Sequence, residues 1–165
     1  MLVLANGNCR QLADSAAQGI LNAQLTPRLV FVPPVPGSLQ LQQAMAQTPA
    51  YAVVVADSDS SIQALLGLLA PGTKVSVIQS GAGKTNESPA WRQKAASLGL
   101  QVQAAVHVTP TSGGLLGFLS KPKLSEGELA RAMAAGERLA CQSLGLSRIP
   151  RVQPKAKERI PNYRK

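Results

Sequence analysis

Residues 1–21 read MLVLANGNCRQLADSAAQGIL, and this stretch decides the fold. Met1 to Ala5 form a short apolar run without alternation, a pattern typical of a strand covered on both faces. From Cys9 onward, apolar residues recur at helical spacing, which predicts an amphipathic helix that lies back on the sheet. These apolar positions are Leu12, Ala13, Ala16, Ala17 and Ile20. A strand, a polar turn and a helix together form the opening unit of a doubly wound α/β fold.

The turn between this strand and helix, Asn6-Gly7-Asn8, has two interpretations. A strand that feeds a helix through a glycine-containing turn points free backbone N–H groups and the positive end of the helix dipole at one spot, which suits a phosphate. Alternatively, the turn only redirects the chain, because glycine tolerates positive φ and asparagine can cap a helix. The residues of the turn leave both interpretations open.

The rest of the chain repeats the alternation of strand and helix. Further strands are predicted at 27–32, 50–56, 74–79 and 100–108, and further helices at 39–47, from 62, from Ser88-Pro89 and from Ser125. The apolar run AYAVVVA at 50–56 indicates a central strand, so its three valines should be buried. Ser125 and Glu128 have the spacing of a capping box. Regular alternation requires right-handed crossovers, so we expect a five-stranded parallel sheet of order 2-1-3-4-5 with helices on both faces, and ligands at the carboxyl ends of its strands.

Length and composition limit the class of protein. A chain of 165 residues, 45% hydrophobic and 15% charged, can form one domain with a full core but not two. No run of eighteen apolar residues is present and Met1 leads directly into a strand-like segment, so we expect a cytoplasmic protein with neither a membrane span nor a secretory signal. Cys9 and Cys141 lack metal-site spacing and are expected to be free thiols. His107, the only histidine, is expected to be a hydrogen-bonded strand residue and not a catalytic one.

The net charge of +9 is concentrated at the end of the chain. Residues 146–165 hold seven of the 17 Lys and Arg residues and one of the eight acidic residues, which leaves +3 for residues 1–145. We therefore expect a domain at 1–145 and a basic, proline-containing tail at 146–165. The tail is either a solvated terminus or a docking arm for an anionic partner, namely an acidic protein surface, a nucleic acid or a charged membrane face. Its interspersed apolar residues, Ile149, Val152, Ile160 and Tyr163, favour a groove on a protein.

Two stretches resemble the flavodoxin family. The family motif T-G-N-T-x-x-L-A is similar to the first stretch, Gly7-Asn8-Cys9-Arg10-Gln11-Leu12-Ala13. The family's final segment resembles the second stretch, Gly117-Phe118-Leu119-Ser120-Lys121-Pro122, together with Gly136-Glu137-Arg138-Leu139-Ala140. The resemblance implies a flavodoxin-like fold over residues 1–145, flavin mononucleotide (FMN) as cofactor, electron transfer to a redox partner, and a binding site in three loops. The implied residues are Asn6, Gly7, Asn8 and Cys9 for the phosphate, Ser58 and Ser60 in the second loop, and Ser80, Gly81, Ala82 and Gly83 at the ring edge.

A second hypothesis is a cofactor-free subunit that keeps this scaffold and docks into a larger assembly through its basic tail. Members of the flavodoxin family usually hold the flavin ring between aromatic side chains of the two later loops, but residues 57–61 and 80–86 contain none. Asp57 and Asp59 would also repel a phosphate. Ser80-Gly81-Ala82-Gly83-Lys84-Thr85 lacks the spacing of a nucleotide-hydrolysing phosphate loop. The sequence contains no recognisable nucleophile–base pair or metal cluster, so it predicts no specific reaction.

Overall fold

The computed structural model describes residues 1–32, 49–81, 90–109 and 124–146. The strands of these segments are β1 (Leu2–Asn6), β2 (Arg28–Val32), β3 (Tyr51–Ala56), β4 (Lys74–Ser80) and β5 (Gln101–Val108). The α-helices are α1 (Arg10–Asn22), α2 (Asp59–Leu66), α3 (Ala90–Ser97) and α4 (Glu126–Ser143), and a 3₁₀ turn (Gly7–Cys9) precedes α1. The helix predicted at 39–47, the Ser88-Pro89 helix start and the tail beyond Leu146 lie outside the described residues.

The five strands form one parallel sheet in the order β2-β1-β3-β4-β5, which confirms the predicted topology. The central strand is β3, and Val53, Val54 and Val55 are completely buried, as its apolar run predicts. Because the strands are parallel, the carboxyl ends of β1, β3 and β4 meet at one end of the sheet. We call this end, marked by Asn6, Asp57 and Ser80, the carboxyl edge.

The two faces of the sheet carry different helices and different side chains. On one, the α1/α4 face, the predicted stripe of α1 packs with α4 over Val3, Val53 and Val55. On the other, the α2/α3 face, larger residues of α2 and α3 pack over Leu4, Val54 and neighbouring strand residues. The helical residues of the α2/α3 face are Ile62, Leu65, Leu66, Trp91 and Ala95. Trp91 is only 2% exposed, so it belongs to the core.

The backbones of α1 and α4 lie in direct contact. A Cβ atom added at Gly19 would overlap the carbonyl oxygen of Met133, and one added at Gly136 would overlap the carbonyl oxygen of Ala16. Only glycine permits so close an approach, because any side chain would hold the two helices apart. The glycines therefore set the distance between the two helices that cover this face.

The ends of α4 are closed by local hydrogen bonds. Ser125 Oγ accepts a hydrogen bond from the Glu128 backbone N–H at 3.3 Å, and the Ser125 N–H donates to the Glu128 carboxylate at 2.9 Å, which confirms the predicted capping box. At the other end Gly145 has a φ of 69°, and the Leu146 N–H donates to the Cys141 carbonyl at 2.8 Å. This arrangement satisfies the last carbonyl groups of the helix and ends it at the predicted domain boundary.

The β4–β5 pairing contains one irregularity. Val75 pairs with Val102, but the next residue, Ser76, pairs with Ala104, so Gln103 has no partner in β4. An extra residue of this kind is a β-bulge, which bends its strand and increases the local twist. No helix in the described segments is long and apolar enough to cross a membrane.

Candidate functional site at the carboxyl edge

Three of the predicted loops converge at the carboxyl edge. β1 ends at Asn6 and passes into the Gly7–Cys9 turn, β3 leads into Asp57, and β4 leads into Gly81. The Gly81 N–H donates to the Val108 carbonyl at 3.0 Å, which fixes the start of the third loop against β5. The parallel sheet thus brings together polar residues that are distant in the sequence, such as Asn6 and Asp57, which are 51 positions apart.

Asp57 is the centre of the hydrogen bonding at this edge. One carboxylate oxygen accepts from Asn6 Nδ2 at 2.6 Å and from Ser61 Oγ at 3.4 Å, and the other accepts from Asn8 Nδ2 at 2.9 Å. The carboxylate therefore ties the loop after β1 to the first turn of α2. These contacts also correct one expectation, since neither Asn6 nor Asn8 caps a helix and α1 begins without a side-chain cap.

The surroundings of Asp57 stabilise its charged form. Burial raises the pKa of this carboxyl group. Hydrogen bonds from Asn8, Asn6, its own backbone and Ser61 lower the pKa by more than burial raises it, so the pKa lies below the ordinary value of an aspartate. Hydrogen bonds donated to a carboxylate favour ionisation because they are lost or weakened when it is protonated. Asp57 therefore carries a full negative charge at neutral pH.

Cys9 does not provide a reactive group in this loop. The residue is 4% exposed and packs in the core beneath α1. Burial, with a smaller contribution from the negative charge of Asp57, raises the pKa of the Cys9 thiol to about 12. Because the thiolate is the nucleophilic form of cysteine, Cys9 is chemically inert at neutral pH. Both Cys9 and Cys141 are free thiols, as expected.

The polar residues after β3 are likewise satisfied within the chain. Ser58 caps α2, because its Oγ accepts from the Ser61 N–H at 3.2 Å, and it also donates to Ser61 Oγ at 2.8 Å. Ser60 is exposed, with its Oγ 3.2 Å from Ser58 Oγ. Asp59 accepts from Gln79 Nε2 at 2.7 Å, which links α2 to β4. These contacts explain Ser58 and Asp59 as structural residues.

The described residues line two cavities at the carboxyl edge, on either side of Asp57. The larger, of about 490 Å³, lies between the ends of β1 and β2 and helix α2, and its walls include Asn6, Asn8, Phe31, Asp57, Leu65 and Leu68. The smaller, of about 340 Å³, lies between the start of α1 and the end of β4, and its walls include Asn8, Cys9, Arg10, Asp57, Ser80 and Gly81. Asp57 and Asn8 contribute to both cavities.

The structure thus brings together part of the predicted site. Asn6, Gly7, Asn8 and Cys9 lie beside Asp57, and Ser80 and Gly81 face the same smaller cavity as Asn8. Ser58 and Ser60 line neither cavity, and Ala82 and Gly83 lie outside the described residues. The sequence alone does not predict the bonds from the two asparagines to Asp57. It does contain a signal for them, because Asn6 ends β1, Asp57 directly follows β3, and these two strands are neighbours in the predicted order.

His107 lies on β5, as expected, but within the described segments neither ring nitrogen has a hydrogen-bond partner. The expectation of a hydrogen-bonded histidine is therefore not met there. Those segments also contain no group of three or more residues that could hold a metal ion.

The side chains of the β1 loop do not fit the phosphate of FMN. The amide groups that could donate to a phosphate, those of Asn6 and Asn8, already donate to Asp57. Asp57 itself adds a negative charge next to the place where the phosphate would lie. Residues 57–61 and 80–81, the described parts of the two later loops, contain no aromatic side chain that could stack on a flavin ring.

Comparison with known proteins establishes the fold. No protein-family model and no curated protein matches the sequence. The structure is similar to diflavin flavoprotein A3 from Nostoc sp., with 16% identity, a TM-score of 0.59 and coverage of 87% of this chain and 92% of that one. It is also similar to two-electron reduced Megasphaera elsdenii flavodoxin, with 15% identity, a TM-score of 0.57 and coverage of 85% and 98%.

A third similar structure is the apo form of an NADH:FMN oxidoreductase, with 14% identity, a TM-score of 0.60 and coverage of 90% of this chain and 91% of that one. The chain has the flavodoxin-like fold, as the sequence resemblance implies. At identities this low, the similarity concerns the path of the chain and not the residues of the site.

Proposed function

We propose that this chain is a flavodoxin-like interaction domain that works without a flavin and docks into a larger protein assembly. One observation supports this proposal above the others: the side-chain amide N–H groups of Asn6, Asn8 and Gln79 at the carboxyl edge already donate to carboxylates of the chain. Asn6 and Asn8 donate to Asp57, Ser58 caps α2, and Gln79 donates to Asp59. Polar groups that already have partners inside the chain lose those bonds when a ligand replaces them.

The electrostatics of the edge support the same proposal. Two unit charges about 4 Å apart repel each other by about 4 kcal/mol at an effective dielectric constant of about 20. A phosphate at the β1 loop would meet this repulsion from Asp57, and a doubly charged phosphate would meet more. It would also have to compete with the carboxylate for the amides of Asn6 and Asn8. Both effects weaken phosphate binding.

The proposed contact with the assembly is the basic tail at residues 146–165, which carries a net charge of +6. An acidic protein surface is the favoured partner, since four apolar residues are interspersed among the charges and could fill a groove. Pro150, Pro154 and Pro161 restrict the free tail and so reduce the entropy lost when it becomes ordered. A nucleic acid would be bound mainly through phosphate contacts and would not need the apolar residues.

The first experiment tests for the cofactor. The full chain is purified without added flavin, its absorption spectrum is recorded, and FMN is titrated while flavin fluorescence is measured. We expect a colourless protein, and quenching of FMN fluorescence no stronger than that of riboflavin, which lacks the phosphate. A yellow protein with bound FMN would disprove the cofactor-free proposal.

The second experiment tests the tail. Proteins that co-purify with the full chain are compared with those retained after deletion of residues 147–165, at low and moderate salt. Two full-length variants separate the types of partner: one replaces the seven Lys and Arg residues of the tail by Gln, and the other replaces its four apolar residues by Ser. A protein groove requires both sets, whereas a nucleic acid requires only the charges. If the deletion retains every interaction with the same salt dependence, the tail is only a solvated terminus.

The second candidate function is electron transfer by bound FMN. Two observations favour it: Cys9, the residue before α1, makes no side-chain cap, and the smaller cavity is lined by Arg10 and Gln11 at the start of this helix. The similarity to an NADH:FMN oxidoreductase is consistent with this candidate. It predicts that added FMN is quenched in a saturable titration, and that FMN binds more tightly than riboflavin because the helix start contacts the phosphate.

A further inference from the structure

We propose that Asp57 acts as an internal anion that excludes phosphate groups from the β1 loop, so that the charge of one side chain determines which ligands the carboxyl edge accepts. This inference rests on the proposed absence of FMN and names the residue responsible for it. The carboxylate lies 2.6 Å from the amide of Asn6 and 2.9 Å from that of Asn8, so it holds both side-chain donors of the loop.

The described surroundings give Asp57 hydrogen bonds but no compensating positive charge. Its partners are two amides and one hydroxyl, all of them neutral. Arg10, the first residue of α1, also lines the smaller cavity, but its guanidinium lies over the ring of Phe31, 5.5 Å from the centroid, and 3.9 Å from the carboxylate of Asp14. The net charge that a ligand would meet from Asp57 and its hydrogen-bond partners is therefore negative.

The space in the loop does not itself exclude a ligand. A Cβ atom added at Gly7 would have no heavy atom within 4 Å, and the smaller cavity reaches from Asn8 to Gly81. Cys9 cannot compensate for the lost donors, because its side chain is buried and its thiol stays neutral. Charge is thus the main obstacle to a phosphate at this position, and one substitution can remove it.

The test compares FMN with riboflavin, which has the same ring system but no phosphate. The dissociation constants of both are measured by fluorescence quenching for the wild-type chain, Asp57→Asn and Asp59→Asn. Asp57→Asn keeps the size of the side chain and removes its charge. Asp59→Asn is the matched control, because it changes the net charge equally while Asp59 bonds to Gln79 and not to the β1 loop.

We expect the wild-type chain to bind FMN no more tightly than riboflavin. Asp57→Asn should improve the affinity for FMN relative to riboflavin by about tenfold or more, which corresponds to about 1.4 kcal/mol. Asp59→Asn should change this ratio by less than about twofold. The gain in Asp57→Asn should shrink as salt is added, because it comes from the loss of a repulsion between partly exposed charges.

Each alternative outcome is informative. If the wild-type chain binds FMN more tightly than riboflavin, both the cofactor-free function and the role of Asp57 are disproved. Two outcomes would overturn only this inference. In the first, the wild-type chain shows no preference for FMN over riboflavin and Asp57→Asn gains none; in the second, no variant binds either flavin. In both cases the charge of Asp57 is not the obstacle to phosphate binding.

Circular dichroism confirms that each variant folds, and Asp57→Ser replaces Asp57→Asn if the latter does not fold. Orthophosphate, added as a competitor, should displace FMN only where the phosphate is bound.

Discussion

The two faces of the sheet are stabilised by different means. On the α1/α4 face, the helices contribute mostly alanine and glycine, and their backbones touch at Gly19 and Gly136. On the α2/α3 face, the helices contribute leucine, isoleucine and tryptophan, which fill the space with large side chains. The first face depends on the close approach of two helices, whereas the second depends on the volume of the side chains between helix and sheet.

This difference predicts opposite sensitivities. A face built on backbone contact has no room for an added methyl group, because neither helix can yield without moving as a whole. A face built on large side chains loses stability when one is shortened, because a cavity remains. The following substitutions test this contrast, beginning with the largest expected effect.

Val54→Asp should prevent folding. Val54 is fully buried on the central strand, on the α2/α3 face, and an unpaired charge there has no partner. The free-energy cost of burying this charge should be close to or greater than the total stability of a typical domain, about 5–15 kcal/mol. Val55→Asp, which places the same charge on the α1/α4 face, should do the same. Expression in the soluble fraction and far-UV circular dichroism provide the measurements. A stable Val54→Asp protein would contradict the central position of β3.

Leu66→Ala should lower the free energy of unfolding by about 3 kcal/mol, the middle of the range for buried leucine. Leu66 is fully buried in α2, and its truncation leaves a cavity against the sheet. Urea denaturation monitored by circular dichroism gives this value. Ala64→Gly, at an exposed position of the same helix, separates the cavity from helix propensity and should cost about 1 kcal/mol. Equal losses for the two variants would show that volume does not stabilise this face.

Gly136→Ala should destabilise the protein by about 2 kcal/mol. The added methyl group overlaps the carbonyl oxygen of Ala16, at an overpacking cost of about 3 kcal/mol, while the gain in helix propensity returns about 1 kcal/mol. Gly127→Ala is the matched control, since Gly127 is an exposed residue of the same helix, and it should stabilise the protein. If both alanine variants gain stability, α1 and α4 are not in backbone contact.

Ser125→Ala should cost roughly 1 kcal/mol, because it removes the capping box at the start of α4. α1, which packs against α4 on the same face, begins without a side-chain cap. The substitution therefore shows how much the cap of α4 contributes to the stability of this face. A shift of the urea midpoint with an unchanged slope would agree with the prediction. An unchanged midpoint would mean that tertiary packing alone holds the first turn.

The smallest expected effect is the pH dependence of stability that comes from Asp57, at the carboxyl edge and not on either face of the sheet. The pKa of Asp57 is lower in the folded protein than in the unfolded chain, so the unfolded chain binds its proton first as the pH falls. Its contribution to stability is therefore present above the unfolded pKa of about 3.9 and is lost as the pH falls through the folded pKa. Thermal unfolding of the wild-type chain and Asp57→Asn should differ at neutral pH and converge in acid. A constant difference at every pH would contradict this origin.

The sequence predicts the fold well because its signals are local. The apolar run of β3, the periodic stripe of α1 and the Ser125 and Glu128 spacing each depend on neighbouring residues, and each is confirmed. The order of the strands follows from the regular alternation and needs no side-chain detail. The sequence does not predict the contact at Gly136, because a glycine within a helix normally indicates weak helix propensity and not a close approach.

The candidate site is harder to predict because its contacts are long-range. Asn6 and Asp57 are 51 positions apart, and their hydrogen bond depends on the register of β1 with β3. The sequence alone left open that an asparagine of the turn caps the first helix through its side-chain oxygen. Instead, both asparagines donate their Nδ2 groups to Asp57, and Asn6 Oδ1 has no partner among the described residues. The sequence also predicts Asp57 as a charge unfavourable to phosphate, but it does not predict the hydrogen bonds that hold that charge in place.

The β-bulge at Gln103 affects whether a strand of another molecule can pair with the edge of the sheet. Among the described residues, β5 is an outer strand of the sheet, and a regular outer strand offers a row of N–H and C=O groups with which a strand of another molecule can pair. The unpaired residue interrupts that row and adds twist, so an incoming strand would lose its register partway along β5. One extra residue in the strand thus works against growth of the sheet from one molecule to the next.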